Sequence, residues 1–183
     1  MSSIPRVVVT AVAVVVAAPA SAQPPMPGPG PEQAIFKMDE GVWDATLELN
    51  RGPDAPSTTA AGIETNTVGC GGLCLITDFK GDLMPGMTLH GHGITAWDSA
   101  AKKYVGTWTD SMSDGLATLS GSYDAASRTM TTSLEGRDTN GTLVKSRTVS
   151  EHRSPDTRVM TMFTTGANGE EVQIMRVTYV RRK

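Results

Sequence analysis

The sequence predicts an all-β fold, an antiparallel up-and-down barrel of about ten strands with a short N-terminal helical segment. Three observations carry that expectation. After residue 22, helical periodicity is almost absent, while apolar and polar residues alternate with period two in one segment after another. Short turn sequences separate these segments, which suits antiparallel neighbours. The segments number about ten, and a meander of hairpins favours a closed barrel over a sandwich.

The N-terminus stands apart from this pattern. MSSIPR carries Arg6, the following run VVVTAVAVVVAAPA is apolar but too short to span a bilayer with its flanks, and Ala20-Ser21-Ala22 is a small-x-small cleavage signature. Residues 1–22 are therefore read as a secretory signal peptide and preferred over an uncleaved anchor, because Pro19 interrupts the run. No cysteine follows the cleavage point, so lipid attachment is not expected. Residues 23–31, QPPMPGPGP, form a Pro/Gly-rich linker, and the barrel domain is expected over 32–183.

Arg6 is the sole charged residue of 1–22. Cleavage takes 16 basic and 19 acidic residues to 15 and 19, and the formal charge from −3 to −4. No basic concentration marks a nucleic-acid partner; Arg181-Arg182-Lys183 reads as a solvated tail. Export leads to a periplasmic or secreted protein whose mature chain is not expected to insert in a membrane.

PEQAIFKM, ahead of the first strand, suits one or two helical turns closing one end of the barrel. VWDATLEL puts Trp43, Ala45, Leu47 and Leu49 on one face and Asp44, Thr46 and Glu48 on the other, a half-buried strand. NRGPDAPS is a bend. IETNTV, LCLITDFKG, TLHGHGITAW, KYVGTWTD, LATLSGSY, TMTTSL, LVKSRTVSEH, RVMTMFTT and EVQIMRVTYV then read as further strands. Between them lie turns at 98–102, 124–127, 139–141 and 167–169, and a hairpin bend is expected within Gly81 to Gly86. The Asn-Gly pairs at 140–141 and 168–169 accept the positive φ of hairpin turns.

Gly41-x-Trp43 at the start of the first strand resembles the lipocalin signature. Gly91-His92-Gly93, Trp97-Asp98, Lys102-Lys103-Tyr104-Val105, Thr107-Trp108, Asp110-Ser111-Met112, Gly121-x-Tyr123-Asp124 and Val177-Thr178-Tyr179 with Arg181 follow in order. Together they resemble the bacterial domain-of-unknown-function family 1579 over nearly the whole mature domain. That family commonly has tyrosine where this chain has Trp97. The resemblance implies a lipocalin-like (calycin-like) barrel and no reaction, so no residue inherits a catalytic role.

The chain has two cysteines and three histidines, and LHGHGITAWD holds two of the latter at alternate positions. Cys70, Cys74, His90 and His92 supply the donor types of a tetrahedral zinc site, and in a hairpin Cys74, His90 and His92 would share a face. Against zinc stand the His-x-His spacing and an oxidising compartment. Gly71-Gly72 supplies the bend a local disulfide needs; in an extended segment the two cysteines would stand roughly 13 Å apart, too far to bridge. The residues favour a Cys70–Cys74 disulfide, with free thiols and a metal site as alternatives, and no metal or other cofactor is expected.

Ser111, Asp110, Asp114 and the histidines supply the types for nucleophilic catalysis, but no Gly-x-Ser-x-Gly elbow and no phosphate loop occurs. Asp110-Ser111 at a strand end suits a turn cap. Met112, Met130, Met160, Met162 and Met175, with Trp43, Trp97, Trp108, Tyr104 and Phe163, are candidates to line the barrel, either filling it or holding an apolar ligand. Arg147 or Arg176, turned inward, would anchor an acidic head group.

The function expected is binding of a small, partly apolar molecule, with His92, Trp97, Trp108, Tyr104 and Arg147 as candidate ligand-binding residues. Two other classes compete: an enzyme using His92 with Asp98, Asp110 or Arg147 as acid and base, and a cell-envelope interaction module. On one reading His92 makes a structural or pocket-lining hydrogen bond and His90 is incidental.

Overall fold

The computed structural model describes residues 28–183 except 51, 53–55, 139 and 167. The expected signal peptide and linker residues 23–27 lie outside the described residues, as does half of the bend expected at NRGPDAPS. The last linker residues are engaged with the fold. Pro29 lies so near Gly72 that a Cβ there would stand 3.1 Å from its Cγ. Pro31 opens a 3-10 turn, Pro31–Gln33, which runs into α1, Ala34–Asp39.

Ten strands follow: β1 Gly41–Leu49, β2 Thr58–Gly69, β3 Cys74–Met84, β4 Met87–Asp98, β5 Lys103–Asp110, β6 Ala117–Asp124, β7 Thr129–Arg137, β8 Leu143–Ser154, β9 Thr157–Thr165 and β10 Glu171–Arg181. Each pairs antiparallel with its sequence neighbours, and β1 pairs with β10 from Trp43↔Arg181 to Leu49↔Met175, closing the barrel. The alternation read from the sequence is the alternation of the wall. In β1, Trp43, Ala45 and Leu47 are buried while Asp44, Thr46 and Glu48 face solvent.

One expected turn is placed differently. β3 continues to Met84 and β4 starts at Met87, leaving only Pro85-Gly86 as the turn, with Gly86 at φ 79°. Gly81 belongs to the strand and pairs with Gly62. A Cβ on Gly62 would lie 2.6 Å from Phe79 Cζ, and one on Gly81 2.9 Å from Phe79 Cε1. The two glycines clear space for the Phe79 ring in the core, so Gly81 serves packing and the turn is made by its neighbours.

α1 is too short to persist alone. It is held across one end of the barrel by packing and by its C-terminal carbonyls. Ile35 and Phe36 are buried with Leu75 and Tyr104, and Tyr104 Oη donates to Glu32 O at 2.7 Å. Trp43 Nε1 donates to Asp39 O at 2.8 Å. Arg181 donates to Met38 O at 2.6 Å and to Glu40 O, with its guanidinium 4.0 Å from the centre of the Trp43 ring. The helix thereby closes the end where β1 starts and β10 finishes. The opposite end, where the β5–β6, β7–β8 and β9–β10 hairpins turn, carries no such cover among the described residues.

Between β2 and β3, at the closed end, a second 3-10 turn spans Cys70–Gly72, and Cys70, Gly71 and Gly72 take φ of 53°, 66° and 97°. These three left-handed residues reverse the chain and bring the Cα atoms of Cys70 and Cys74 to 5.5 Å, joined by a disulfide. Both sulfurs of the zinc alternative are thus used within the turn. Cys74 pairs with Ala96, four residues along β4 from His92, so the buried Cys74 shares the strand parity of the outward-facing His90 and His92 without meeting them. Reduction of so short a loop should lower the unfolding free energy by about 2 kcal/mol. Urea midpoints measured with and without reductant, against the Cys70→Ser/Cys74→Ser double variant, check this: reduced protein and double variant should coincide.

Candidate functional site

The strands' inward residues leave space rather than fill it. A cavity of about 540 Å³ runs from the covering helix to the uncovered end. Its walls are mainly apolar: Leu89, Leu119 and Leu134 from β4, β6 and β7, and Met130, Met160, Met162 and Met175 from β7, β9 and β10. Methionine is unbranched and adaptable, so four of them make a wall that fits irregular shapes. A band of hydroxyls, Thr132, Thr148 and Ser150 among them, interrupts this lining on β7 and β8.

Trp108 explains the stretch LHGHG. A Cβ on Gly91 would lie 2.2 Å from Trp108 Cζ2, and one on Gly93 2.9 Å from Trp108 Cε3. The two glycines face inward, and the indole lies against their bare backbone, its Nε1 donating to Asp110 Oδ2 at 2.9 Å. The histidines occupy the alternate positions and therefore face outward. His92 Nδ1 is 2.7 Å from Asp78 Oδ1, an exposed contact on the outer wall. His90 and His92 line a shallow outer depression with Asp78, Thr109 and Ser111.

The cavity's floor, under α1, is polar and buried. Arg158 reaches in from β9 with its guanidinium 4.2 Å from the centre of the Tyr179 ring and 5.3 Å from that of Trp43. One terminal nitrogen donates to Asp39 Oδ1 at 2.9 Å and the other to Glu64 Oε1. His152 Nε2 meets the same Asp39 oxygen at 2.8 Å, while Asn66 Nδ2 donates to Glu64 Oε1 at 2.7 Å. Burial alone would push the Asp39 carboxyl up. The charge of Arg158 and the bonds from His152 and Arg158 outweigh it and hold the group below its ordinary value. Burial lowers and the two carboxylates raise Arg158, with the carboxylates prevailing. Tyr179 is pushed well up by burial and by Glu64.

The structure separates the expected site residues. Trp108 and Tyr104 line the cavity. Trp97 faces inward but is spent in the closed end, its ring centre 4.9 Å from that of Tyr104 and tilted against it. Arg147 is on the outer wall, not turned inward: its Nε and Nη2 donate to Glu171 at 2.7 and 2.6 Å, and it lies 4.4 Å over the Phe163 ring. Parity decides this, because Arg147 alternates with the inward Ser146 and Thr148. His92 faces outward for the same reason, opposite the inward Gly91 and Gly93. Phe163 accompanies Arg147 outside, and Met112 lies exposed in the β5–β6 loop. Asp98 caps the β4–β5 turn at the closed end, accepting from Ala100 N and Ala101 N. Asp110 accepts from Met112 N at the other end and lines the outer depression with His90 and His92, from which Asp98 and Arg147 are absent.

Sequence reasoning missed the floor residues Asp39, Glu64, His152, Arg158 and Tyr179. The signal was present for one of them: Arg158 shares parity with Met160 and Met162, which the sequence places inside.

Fold and cavity define a class, a closed ten-stranded antiparallel barrel with a mainly apolar interior covered at one end by a helix. Within that class the chain belongs to the family described as "Protein of unknown function (DUF1579)", which matches residues 28–181. No curated protein matches the chain. Among solved structures it is similar to a redesigned β barrel, at 14% identity over 81% of this chain and 95% of that one, with a TM-score of 0.44.

Gly91→Ala should force Trp108 off the wall and cost about 1–3 kcal/mol of stability. The cost should shrink in a Trp108→Leu background, a coupling that a double-mutant cycle of urea midpoints measures. The floor also sets a pH window. Asp39, lowered in the fold, contributes stability present above its ordinary value of 3.8 and lost as pH falls through the folded value. Tyr179, raised in the fold, contributes stability complete below 10.0 and lost as pH rises beyond it. The melting temperature should hold between these limits and fall outside them, and Asp39→Asn should flatten the acid limb alone.

Proposed function

We propose that this protein binds a small, partly apolar molecule inside its barrel. The single observation that carries the reading is the cavity of about 540 Å³, lined by four methionines and a flat-lying Trp108 where a filled barrel would interdigitate side chains. The uncovered end adds support. Leu116 in the β5–β6 loop is 66% exposed and Leu143 at the start of β8 is 54% exposed; Met112, Val144 and Val172 are exposed at the same end. The turns at the closed end carry no large exposed apolar residue among the described ones. An apolar rim leading to an apolar interior suits a ligand that arrives from an apolar source.

We also propose that the protein is exported, to the periplasm or the medium, which the N-terminal pattern of residues 1–22 and the Cys70–Cys74 disulfide support.

Native mass spectrometry of protein recovered from the cell envelope and medium tests both proposals. The expected species starts at Gln23 and carries a small molecule lost on denaturation. A panel of lipids and aromatic probes, read by indole fluorescence and thermal shift, should yield a saturable binder that raises the melting temperature. A Leu134→Trp change, which fills the cavity, should weaken that binder at least tenfold. Silence of the whole panel, together with an empty native mass, would overturn the binding reading.

A further inference from the structure

If the barrel holds a ligand, as proposed above, its floor restricts that ligand's polar end. Most of the strong donors there already serve the floor's own acceptors. Arg158 gives one terminal nitrogen to Asp39 and the other to Glu64, and its Nε is buried without a hydrogen-bond partner. Trp43 Nε1 is used by Asp39 O, Tyr104 Oη by Glu32 O, Asn66 Nδ2 by Glu64, and Thr77 Oγ1 by Asn66 Oδ1 at 2.7 Å. An ionised Asp39 only accepts, so His152 Nε2 carries the proton of their contact and is committed too.

Acceptors, by contrast, are left over. Asp39 takes both of its bonds on Oδ1, and this cavity-lining side chain is 13% exposed. Two carboxylates also share one guanidinium, so the floor holds more negative than positive side chains of fixed charge. A ligand carboxylate or phosphate placed there would be a third anion in a buried site whose one guanidinium is already bonded to two carboxylates. An amine or hydroxyl would instead donate to an acceptor already in place. The wall hydroxyls of Thr132, Thr148 and Ser150 are neutral and rotate to donate or accept, so they do not reverse the preference.

We infer that the ligand is an amphiphile whose polar end is a hydrogen-bond donor without negative charge, an amine or an alcohol, seated on the Asp39–Glu64 floor with its apolar body among the methionines. Acidic amphiphiles of equal length are disfavoured by the same floor. The other cation lining the cavity, Arg137, is at the uncovered end, where it donates to Gly141 O at 2.6 Å, beside Asp138.

The test uses dodecylamine, dodecanol and dodecanoate at concentrations below micelle formation, titrated against the mature protein and followed by indole fluorescence and thermal shift. Dodecylamine and dodecanol should bind saturably, with dodecanoate at least tenfold weaker. Asp39→Asn and Glu64→Gln should each narrow the gap between amine and carboxylate; should neither variant fold, the ranking on the unaltered protein decides. Dodecanoate binding as tightly as the amine overturns the inference and leaves the binding reading standing. Silence of all three beside a binder of another class has the same effect, whereas silence of these and of the whole panel removes both.

Discussion

The buried guanidinium of Arg158 is the constraint on which the closed half of the barrel depends. It joins α1 through Asp39 and β2 through Glu64, while its faces meet rings from β1 and β10. His152 of β8 joins through the shared Asp39 oxygen. An isolated charge in that position would be costly, and the two carboxylates and two aromatic rings are what make it tolerable. The dependence is mutual. Removing the cation would strand two carboxylates out of water, and breaking a buried pair in this way costs about 3–5 kcal/mol. A one-residue slip of β9 would send Arg158 to the outside and leave the same deficit, so the polar floor selects the register as well as the position of the helix.

Trp43 is shared between this buried network and the chain's outer clasp. Arg158 lies on the inner side of the closed end, while Arg181 stacks on the same indole and ties the carbonyls of α1 and of Pro155 to β10. A helix of six residues stays put because its side chains, its C-terminal carbonyls and its last acid all have partners from different strands. That arrangement fills one half of the barrel with Phe36, Trp43 and Tyr104. The other half is built oppositely, with glycines at Gly91 and Gly93 where side chains would otherwise project, and a single indole laid flat across them. The cavity is the difference between these two packings.

Much of this architecture is legible in the chain. Period-two alternation reports which residues share a face, and in a meander each face is the same face of the whole barrel, so ten strands and their order follow from ten alternating runs. Which face is inside is harder to read where a strand carries polar residues on both sides. LVKSRTVSEH offers serines and threonine on one parity and Arg147 on the other; the small hydroxyls went in and the arginine, with Glu171 and Phe163 beside it, went out. In LHGHG the histidines drew attention and the glycines did the packing. Glu64 and Asp39 were not legible as a site because their meaning comes from Arg158, 94 and 119 residues away, and no local pattern carries a contact of that span. The reversal at Cys70–Gly72 was legible, since adjacent glycines between two strand patterns permit the left-handed backbone found there.

Nine of the ten strand pairings join sequence neighbours through hairpins, and one, β1 with β10, joins strands more than a hundred residues apart. That single seam makes the assembly order asymmetric. Hairpins form on the microsecond scale without help from distant chain, but the ring has two open edges until its last strand arrives, and exposed edges recruit other chains. The residue that fastens the helix, Arg181, sits on that last strand. Ring closure, the Arg181 clasp on the helix and completion of the Trp43 stack are therefore one late event. Until it happens the floor has no roof and the interior no bottom, so the capacity to hold a guest arrives only with the finished fold.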